Sequence, residues 1–199
     1  MKVKAVIFDL DGTITEPYFD FDAIREEMGL ASDSGPVLES IEKMTPQQRQ
    51  RAEEILRSHE QEAVDESTLN AGAKQTLYEL RRRAIRIGVL TRNRRNNALA
   101  VARKHGLQFD AVVGREEGPV KPDAFGVLHV CRQFGVEPEE TLVVGDYLFD
   151  MLCARAAGAT SVLLANHGDA HKFAHHADFV IENIAQILQI IEQLNQGLG

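Results

Sequence analysis

Six short runs of apolar, mostly β-branched residues recur along the 199-residue chain, and longer segments separate them. Most runs are continuously apolar rather than alternating, which is typical of strands buried on both faces of a parallel sheet. Between them, apolar residues recur at helical spacing, as at Leu77, Leu80 and Ala84, and Gly106 predicts the end of a helix. This alternation predicts an α/β fold with right-handed crossovers. The predicted strands span residues 3–8, 85–90, 111–113, 142–144, 161–164 and 178–181.

One segment breaks the alternation of strands and helices. Residues 16–66 contain no strand-like run and carry 14 acidic against five basic side chains. Pro17, Pro36 and Pro46 interrupt this segment, which predicts two or three helices. We therefore expect a small helical domain inserted after the first strand. The predicted core comprises residues 1–15 and 70–199, and the predicted insertion comprises residues 16–69.

The composition excludes several classes of function. The chain has 22 Lys and Arg against 30 Asp and Glu, a net charge of −8, whereas proteins that hold nucleic acid need basic surfaces. No apolar segment approaches the length of a membrane span, and the run at 5–8 is too short for a signal peptide. Cys131 and Cys153 lie in apolar, helix-like stretches, which predicts buried, reduced thiols. We therefore expect a cytoplasmic protein that binds neither nucleic acid nor membrane.

Two carboxylates follow the first predicted strand directly. The sequence there reads Asp9-Leu10-Asp11-Gly12-Thr13, so that Asp9 and Asp11 point the same way at the carboxyl end of the strand. Acidic groups this close repel each other unless a cation or a proton lies between them. Carboxylate oxygens suit Mg²⁺, which is commonly shared with phosphate, and Gly12 lets the backbone approach a ligand closely. The alternative is an exposed Asp-Gly turn without function.

Further polar residues come at the ends of later strands. Thr91 ends the second run, Lys121 lies in a loop before Pro122, and Asp146 and Asp150 follow the fourth run. Because the carboxyl ends of parallel strands share one edge of a sheet, we expect these side chains to converge there with the first two carboxylates. Carboxylates for a metal, a hydroxyl donor and an ammonium together predict a phosphate site.

The motifs resemble, in type and order, those of the haloacid dehalogenase superfamily. The resemblance extends over almost the whole chain and is strongest to the phosphoglycolate-phosphatase-like branch. It implies a parallel Rossmann-like sheet core with a small helical cap inserted after the first strand. It also implies Mg²⁺-dependent hydrolysis of a small phosphorylated metabolite, a phosphomonoester, through an aspartyl-phosphate intermediate. The residues that carry the resemblance are Asp9-Leu10-Asp11, Thr91, Lys121 and Gly145-Asp146 with Asp150.

The resemblance also implies a role for each catalytic residue. Asp9 is the expected nucleophile, and Asp11 is the expected general acid and base. Thr91 donates a hydrogen bond to the phosphoryl oxygens, and Lys121 neutralises one of them. The dehalogenases of the superfamily lack the second carboxylate, so Asp11 favours phosphoryl transfer.

The expected metal and substrate contacts follow in the same way. Mg²⁺ is held by Asp9, Asp146 and the backbone carbonyl of Asp11, while Asp150 orients Lys121 or a metal-bound water. The expected substrate-binding residues are Gly12, Thr13, Arg92 and Asn93, with the backbone amide of Arg92 or Asn93 as a phosphate donor. The alternative for Arg92 is a solvated position in a basic run. Tyr18, Phe19 and Phe21 either line the substrate cleft or belong to the core of the cap.

Three alternative functions are weaker. A sugar phosphomutase has the same motif order, but such enzymes usually carry a histidine just after the catalytic loop, and here none precedes His59. A receiver domain needs no helical insertion, and a non-catalytic phosphate-binding module does not need the full catalytic set. The later histidines suggest a surface loop rather than a metal site: His167, His171, His175 and His176. The sequence predicts no particular oligomeric state.

Overall fold

A six-stranded sheet forms the centre of the larger part of the protein, as seen in a computed structural model that describes residues 2–197. Every strand pair is parallel, and each strand lies within two residues of its predicted run, so the α/β prediction is confirmed. The strands are β1 (Ala5–Phe8), β2 (Arg86–Leu90), β3 (Ala111–Val113), β4 (Thr141–Gly145), β5 (Thr160–Leu164) and β6 (Phe179–Ile181).

Helices connect these strands as the periodicity predicts. Three of them end at a glycine in the left-handed conformation, including Gly106, the predicted stop. None of the helices in the described residues is both long and apolar enough to cross a membrane. The helices are α1 (Phe21–Glu27), α2 (Val37–Glu42), α3 (Pro46–Glu66), α4 (Ala73–Arg82), α5 (Arg95–His105), α6 (Phe125–Phe134), α7 (Leu148–Ala157) and α8 (Ile187–Gln196).

The strand order β3-β2-β1-β4-β5-β6 places β1 at the middle of the sheet. From β1 the chain builds outward through β2 and β3 on one side, and then through β4, β5 and β6 on the other. Ligands of such sheets bind outside the carboxyl ends of the strands at the point where the order reverses. Here that point lies between β1 and β4, where Phe8 is in register with Val144. All four residues of β1 are fully buried, so the site rests on a rigid strand.

The chain divides into two compact units, one running to Pro17 and resuming at Thr68, the other spanning Tyr18–Ser67. The second unit consists of α1, α2 and α3. Pro46 begins α3 rather than breaking it, because the first position of a helix needs no backbone N–H donor. Phe19 packs on the unit's own apolar core, whereas Tyr18 and Phe21 are exposed. The role of this unit as a cap stays a prediction. The core residues are Ile24, Val37, Ile41, Ala52 and Leu56.

Candidate active site

A tight turn after β1 carries the two predicted catalytic carboxylates. The carbonyl of Leu10 accepts the backbone N–H groups of Thr13, Ile14 and Thr15 at 3.3, 2.9 and 3.0 Å. Gly12 has a φ of +90°, which a side chain rarely tolerates, and a Cβ there would lie 2.4 Å from Asp146 Oδ2. Glycine is therefore required at this position both by the backbone conformation and by the neighbouring carboxylate.

Lys121 joins two of the carboxylates through buried ion pairs. Its Nζ lies 2.7 Å from Asp9 Oδ1 and 2.6 Å from Asp150 Oδ1, and the Lys121 side chain is 3% exposed. Burial disfavours the charged ammonium, but the carboxylates of Asp150 and Asp9 outweigh it and raise the pKa of Lys121 above its ordinary value. Lys121 is therefore a fixed cation between the end of β1 and the first turn of α7.

Three carboxylates are arranged so that they could hold a metal ion. Asp9, Asp146 and Asp150 each offer an oxygen, and these atoms lie within 4.8 Å of one another. Burial raises the pKa of Asp9 well above its ordinary value; Lys121 opposes this effect, and the carboxylates of Asp150, Asp146 and Asp11 add to it. Burial also raises the pKa of Asp150, again against Lys121. The acidic side chains outnumber the ammonium group beside them, so a divalent cation fits the charge of the cluster.

The end of β2 contributes hydrogen-bond donors to Asp11. Thr91 Oγ1 lies 3.5 Å from Asp11 Oδ2, and Asn93 Nδ2 lies 3.3 Å from the same oxygen. The backbone N–H of Asn93 donates to Thr91 Oγ1 at 2.9 Å. This amide therefore orients the Thr91 hydroxyl, and the Asp11 carboxylate lies with Thr91 and Asn93 rather than in the three-carboxylate group.

Arg92 and Thr13 also contact the site. Arg92 Nη1 donates to the backbone carbonyl of Lys121, and its guanidinium lies 4.8 Å from the centre of the Phe149 ring. Thr13 Oγ1 donates to Asp146 Oδ1 at 3.0 Å and is buried. The structure thus places both residues beside catalytic candidates, while their predicted contact with substrate stays a prediction.

Cys153 lies beside the site without being a reactive thiol. Its Sγ donates to the carbonyl of Asp150 at 3.2 Å. Burial, with a further contribution from the Asp150 carboxylate, raises the pKa of Cys153 to about 12, so the thiol stays protonated. Both Cys153 and Cys131 are free and buried, as the sequence predicts.

Three further residues reach the site without being predicted from the sequence. Asn166 Nδ2 donates to the carbonyl of Gly12 at 2.8 Å, and Asn70 Nδ2 lies 3.0 Å from the same oxygen. His167 Nε2 lies 3.1 Å from the backbone oxygen of Asp146, and hydrogen bonding to Asp146 raises the pKa of His167. His167 lies in the predicted loop, but it is half-buried and its ring reaches Asp146. Asn166 and His167 closely follow β5, so the strand-end argument could have found them, whereas nothing in the sequence singles out Asn70.

Comparisons with known proteins found a matching family and several similar chains. A family profile of haloacid dehalogenase-like hydrolases matches residues 3–158. A haloacid dehalogenase-like hydrolase domain-containing protein of Arabidopsis thaliana is 30% identical, over 96% of this chain and 84% of the relative. A phosphoglycolate phosphatase of Chromobacterium violaceum is 27% identical, over 96% of this chain and 97% of the relative. The crystal structure of a hydrolase from Pseudomonas syringae shares the fold, with a TM-score of 0.81 at 22% identity over 96% of this chain and 99% of that chain.

Proposed function

Because the chain belongs to the haloacid dehalogenase-like hydrolases, we propose that it hydrolyses a small phosphomonoester through a phosphorylated Asp9. The observation that carries the proposal is the buried contact of Asp9 with Lys121 beside two further carboxylates. A buried carboxylate is a nucleophile only while it is ionised, and Lys121 opposes the rise in pKa that burial causes. Lys121 therefore favours the ionised, nucleophilic form of Asp9 against the burial that raises its pKa.

The first step forms a bond between an Asp9 oxygen and phosphorus and breaks the bond from phosphorus to the leaving oxygen. Asp11 gives its proton to that oxygen, so that an alcohol departs. In the second step Asp11 takes a proton from a water molecule, which attacks phosphorus, releases inorganic phosphate and restores Asp9. The donors at Thr91 and Asn93 hold one oxygen of Asp11 and so orient its carboxyl group for the proton transfers.

The three-carboxylate group of Asp9, Asp146 and Asp150 suits Mg²⁺, a cation that prefers oxygen ligands. We assign Asp9, Asp146 and the Asp11 carbonyl as its ligands, with Asp150 holding Lys121. When bound, Mg²⁺ aligns the phosphoryl oxygens and offsets their charge.

The remaining assignments concern the substrate. Thr91 and Lys121 contact phosphoryl oxygens, and Gly12, Thr13, Arg92 and Asn93 surround the phosphate. The unit Tyr18–Ser67, within the proposed cap of residues 16–69, selects the leaving group. The name of the Chromobacterium violaceum relative makes phosphoglycolate the first compound to test. The free, buried thiols favour a reducing compartment such as the cytoplasm.

The experiment that tests the proposal measures inorganic phosphate released from a panel of phosphomonoesters, with and without Mg²⁺. We expect activity that needs Mg²⁺, and we expect Asp9→Asn and Asp11→Asn each to lower kcat by at least about a thousandfold. The exposed acid Asp169 gives a matched control, Asp169→Asn, which should retain wild-type activity. Normal turnover in either active-site variant would refute the mechanism.

A further inference from the structure

Asn70 and Asn166 lie against the turn of residues 10–15, although the proposed chemistry uses neither of them. Asn70 Nδ2 lies 3.0, 2.8 and 2.9 Å from the carbonyl oxygens of Gly12, Thr13 and Thr15. Asn166 Nδ2 lies 2.8 Å from the carbonyl oxygen of Gly12 and 3.3 Å from Asn70 Oδ1. The two side chains therefore form one connected group of donors on the backbone that carries Asp9 and Asp11.

The chemistry of the turn shows why donors are needed there. Its backbone N–H groups at residues 13, 14 and 15 already donate to a single carbonyl, that of Leu10. The carbonyls at residues 12, 13 and 15 need donors of their own, and unsatisfied carbonyls in a partly buried turn are unfavourable. One amide nitrogen carries two hydrogens, so at least one hydrogen of Asn70 is shared between two carbonyls. An oxygen atom at the position of Asn70 Nδ2 would lie against three carbonyl oxygens without a hydrogen to share.

The backbone of Asn70 also forms a hydrogen bond to the same turn. Its N–H donates to the carbonyl of Ile14 at 3.0 Å, and the residue before it, Leu69, forms a bridge with Thr15. Thr13, in the middle of the turn, donates in turn to the candidate metal ligand Asp146. A shift of the turn would therefore move the general acid Asp11 and a contact to the metal site together, directly beside the nucleophile Asp9.

We infer that Asn70 and Asn166 are positioning residues that hold the turn of residues 10–15 in the geometry that the reaction requires. This inference rests on the proposed function, because the geometry matters through Asp9 and Asp11. Neither asparagine has a role in holding the phosphate, so their loss should lower kcat rather than raise KM. A displacement of about 1 Å in a catalytic group can cost on the order of a hundredfold in rate.

The test combines kinetics with hydrogen exchange of the backbone amides of residues 11–15. For Asn70→Ala we expect kcat to fall on the order of 10- to 100-fold, with KM within about threefold. We expect exchange in the turn to be faster by about tenfold or more, since several hydrogen bonds are lost. Asn166→Ala removes fewer contacts, so kcat and the exchange rate should change in the same directions but by less. This variant keeps the inference testable if Asn70→Ala does not fold.

Two further variants separate positioning from simple packing or stability. Asn70→Asp keeps the size of the side chain but replaces the donor nitrogen with oxygen, so we expect it to behave like Asn70→Ala. Asn195→Ala is the matched control, because Asn195 Oδ1 accepts the N–H of Val3 at 2.8 Å, just before β1 and away from the site. It should leave kcat and exchange of the turn unchanged even if it lowers stability.

Each outcome decides the inference. The inference would be overturned if hydrogen exchange in the turn were unchanged in both alanine variants. It would also be overturned if exchange became faster while kcat stayed at the wild-type value, or if Asn70→Asp kept the wild-type kcat. If the wild-type protein released no phosphate from any compound, the proposed function would fail. The exchange result would then still show whether the asparagines hold the turn.

Discussion

At the scale of single residues, the site depends on one ammonium placed among several carboxylates. Lys121 contacts Asp9 and Asp150 at 2.7 and 2.6 Å where water has little access. An ion pair in such a place contributes little net stability, but removal of one partner leaves an uncompensated charge. The same contact favours the ionised form of the nucleophile, so stability and activity depend on the same side chain.

Lys121→Gln should therefore lower both the stability of the fold and the rate of the reaction. We expect the free energy of unfolding to fall by about 3–5 kcal/mol, the usual cost of breaking a buried pair, and kcat to fall by at least about a hundredfold. Denaturant unfolding and phosphate release measure the two effects. The control is Lys172→Gln, which breaks a pair with Asp169 whose side chains are both 70% exposed, and which should leave the free energy of unfolding nearly unchanged. Similar losses of stability in the two variants would contradict this account.

Gly12→Ala tests the close approach of the turn to Asp146. The alanine would have to keep the left-handed backbone conformation, and its Cβ would lie 2.4 Å from Asp146 Oδ2, so Asp146 must move. Gly135→Ala shares the left-handed conformation, with φ +65°, but meets nothing within 4 Å. Both variants should lose about 1–2 kcal/mol from backbone strain, and only Gly12→Ala should also lose Mg²⁺ binding, measured by calorimetry. Undiminished Mg²⁺ affinity in Gly12→Ala would show that Asp146 is not a ligand.

At the scale of elements, the carboxyl end of the sheet carries site residues, whereas acids at the amino end join neighbouring strands. The carboxyl ends of β1, β2 and β4 are followed by the candidate site residues Asp9, Thr91 and Asp146. At the amino end, Asp110 accepts the N–H of Ile87 at 2.8 Å, and Asp178 accepts the N–H of Ser161 at 2.8 Å. Each of these acids precedes an edge strand and joins it to the neighbouring strand.

Asp110→Ala and Asp178→Ala should accordingly lower stability and leave the chemistry intact. We expect each to cost about 1–3 kcal/mol, because a buried N–H of the sheet loses its acceptor, while kcat changes by less than about twofold. Thermal unfolding and steady-state kinetics on the same preparations check this. A large fall in kcat without a fall in stability would refute the separation between the two ends.

The elements also show how far the sequence predicts the structure. The central strands β1 and β4 are largely apolar because both of their faces are buried, and Gly106 ends a helix because of its left-handed conformation, so both features follow from local rules. The positions of Asp9, Thr91 and Asp146 follow from their places at strand ends. Asn70 could not be predicted, because its contacts depend on how the returning chain lies against the turn after β1, which no local pattern encodes.

At the scale of the whole molecule, folding and metal binding are linked through the buried acids. The pKa of Asp9 lies well above its ordinary 3.8 in the folded chain, mainly because of burial. The folded state then holds more protons than the unfolded state between these two values, so the contribution of Asp9 to stability is present at low pH and is lost as pH rises. A cation bound to the ionised acids offsets this loss.

Mg²⁺ should therefore stabilise the protein more at about pH 7.5 than at about pH 5, where protons compete for the carboxylates. At a concentration near 100 times Kd the gain is about 2.7 kcal/mol, which corresponds to a rise in Tm on the order of 5–10 °C for a chain of this size. Calorimetric scans with and without Mg²⁺ at both pH values measure it, and Asp146→Asn should reduce the gain. An equal gain at both pH values would contradict binding to these acids.

Phosphorylation of Asp9 during turnover is the step on which the proposed function depends. The most direct measurement is mass spectrometry of the protein quenched with acid in the presence of Mg²⁺ and a substrate that it hydrolyses. We expect a phosphoryl group on the peptide that contains Asp9, and we expect none in the Asp9→Asn variant. A phosphoryl group on another residue, or turnover that continues in Asp9→Asn, would contradict the account.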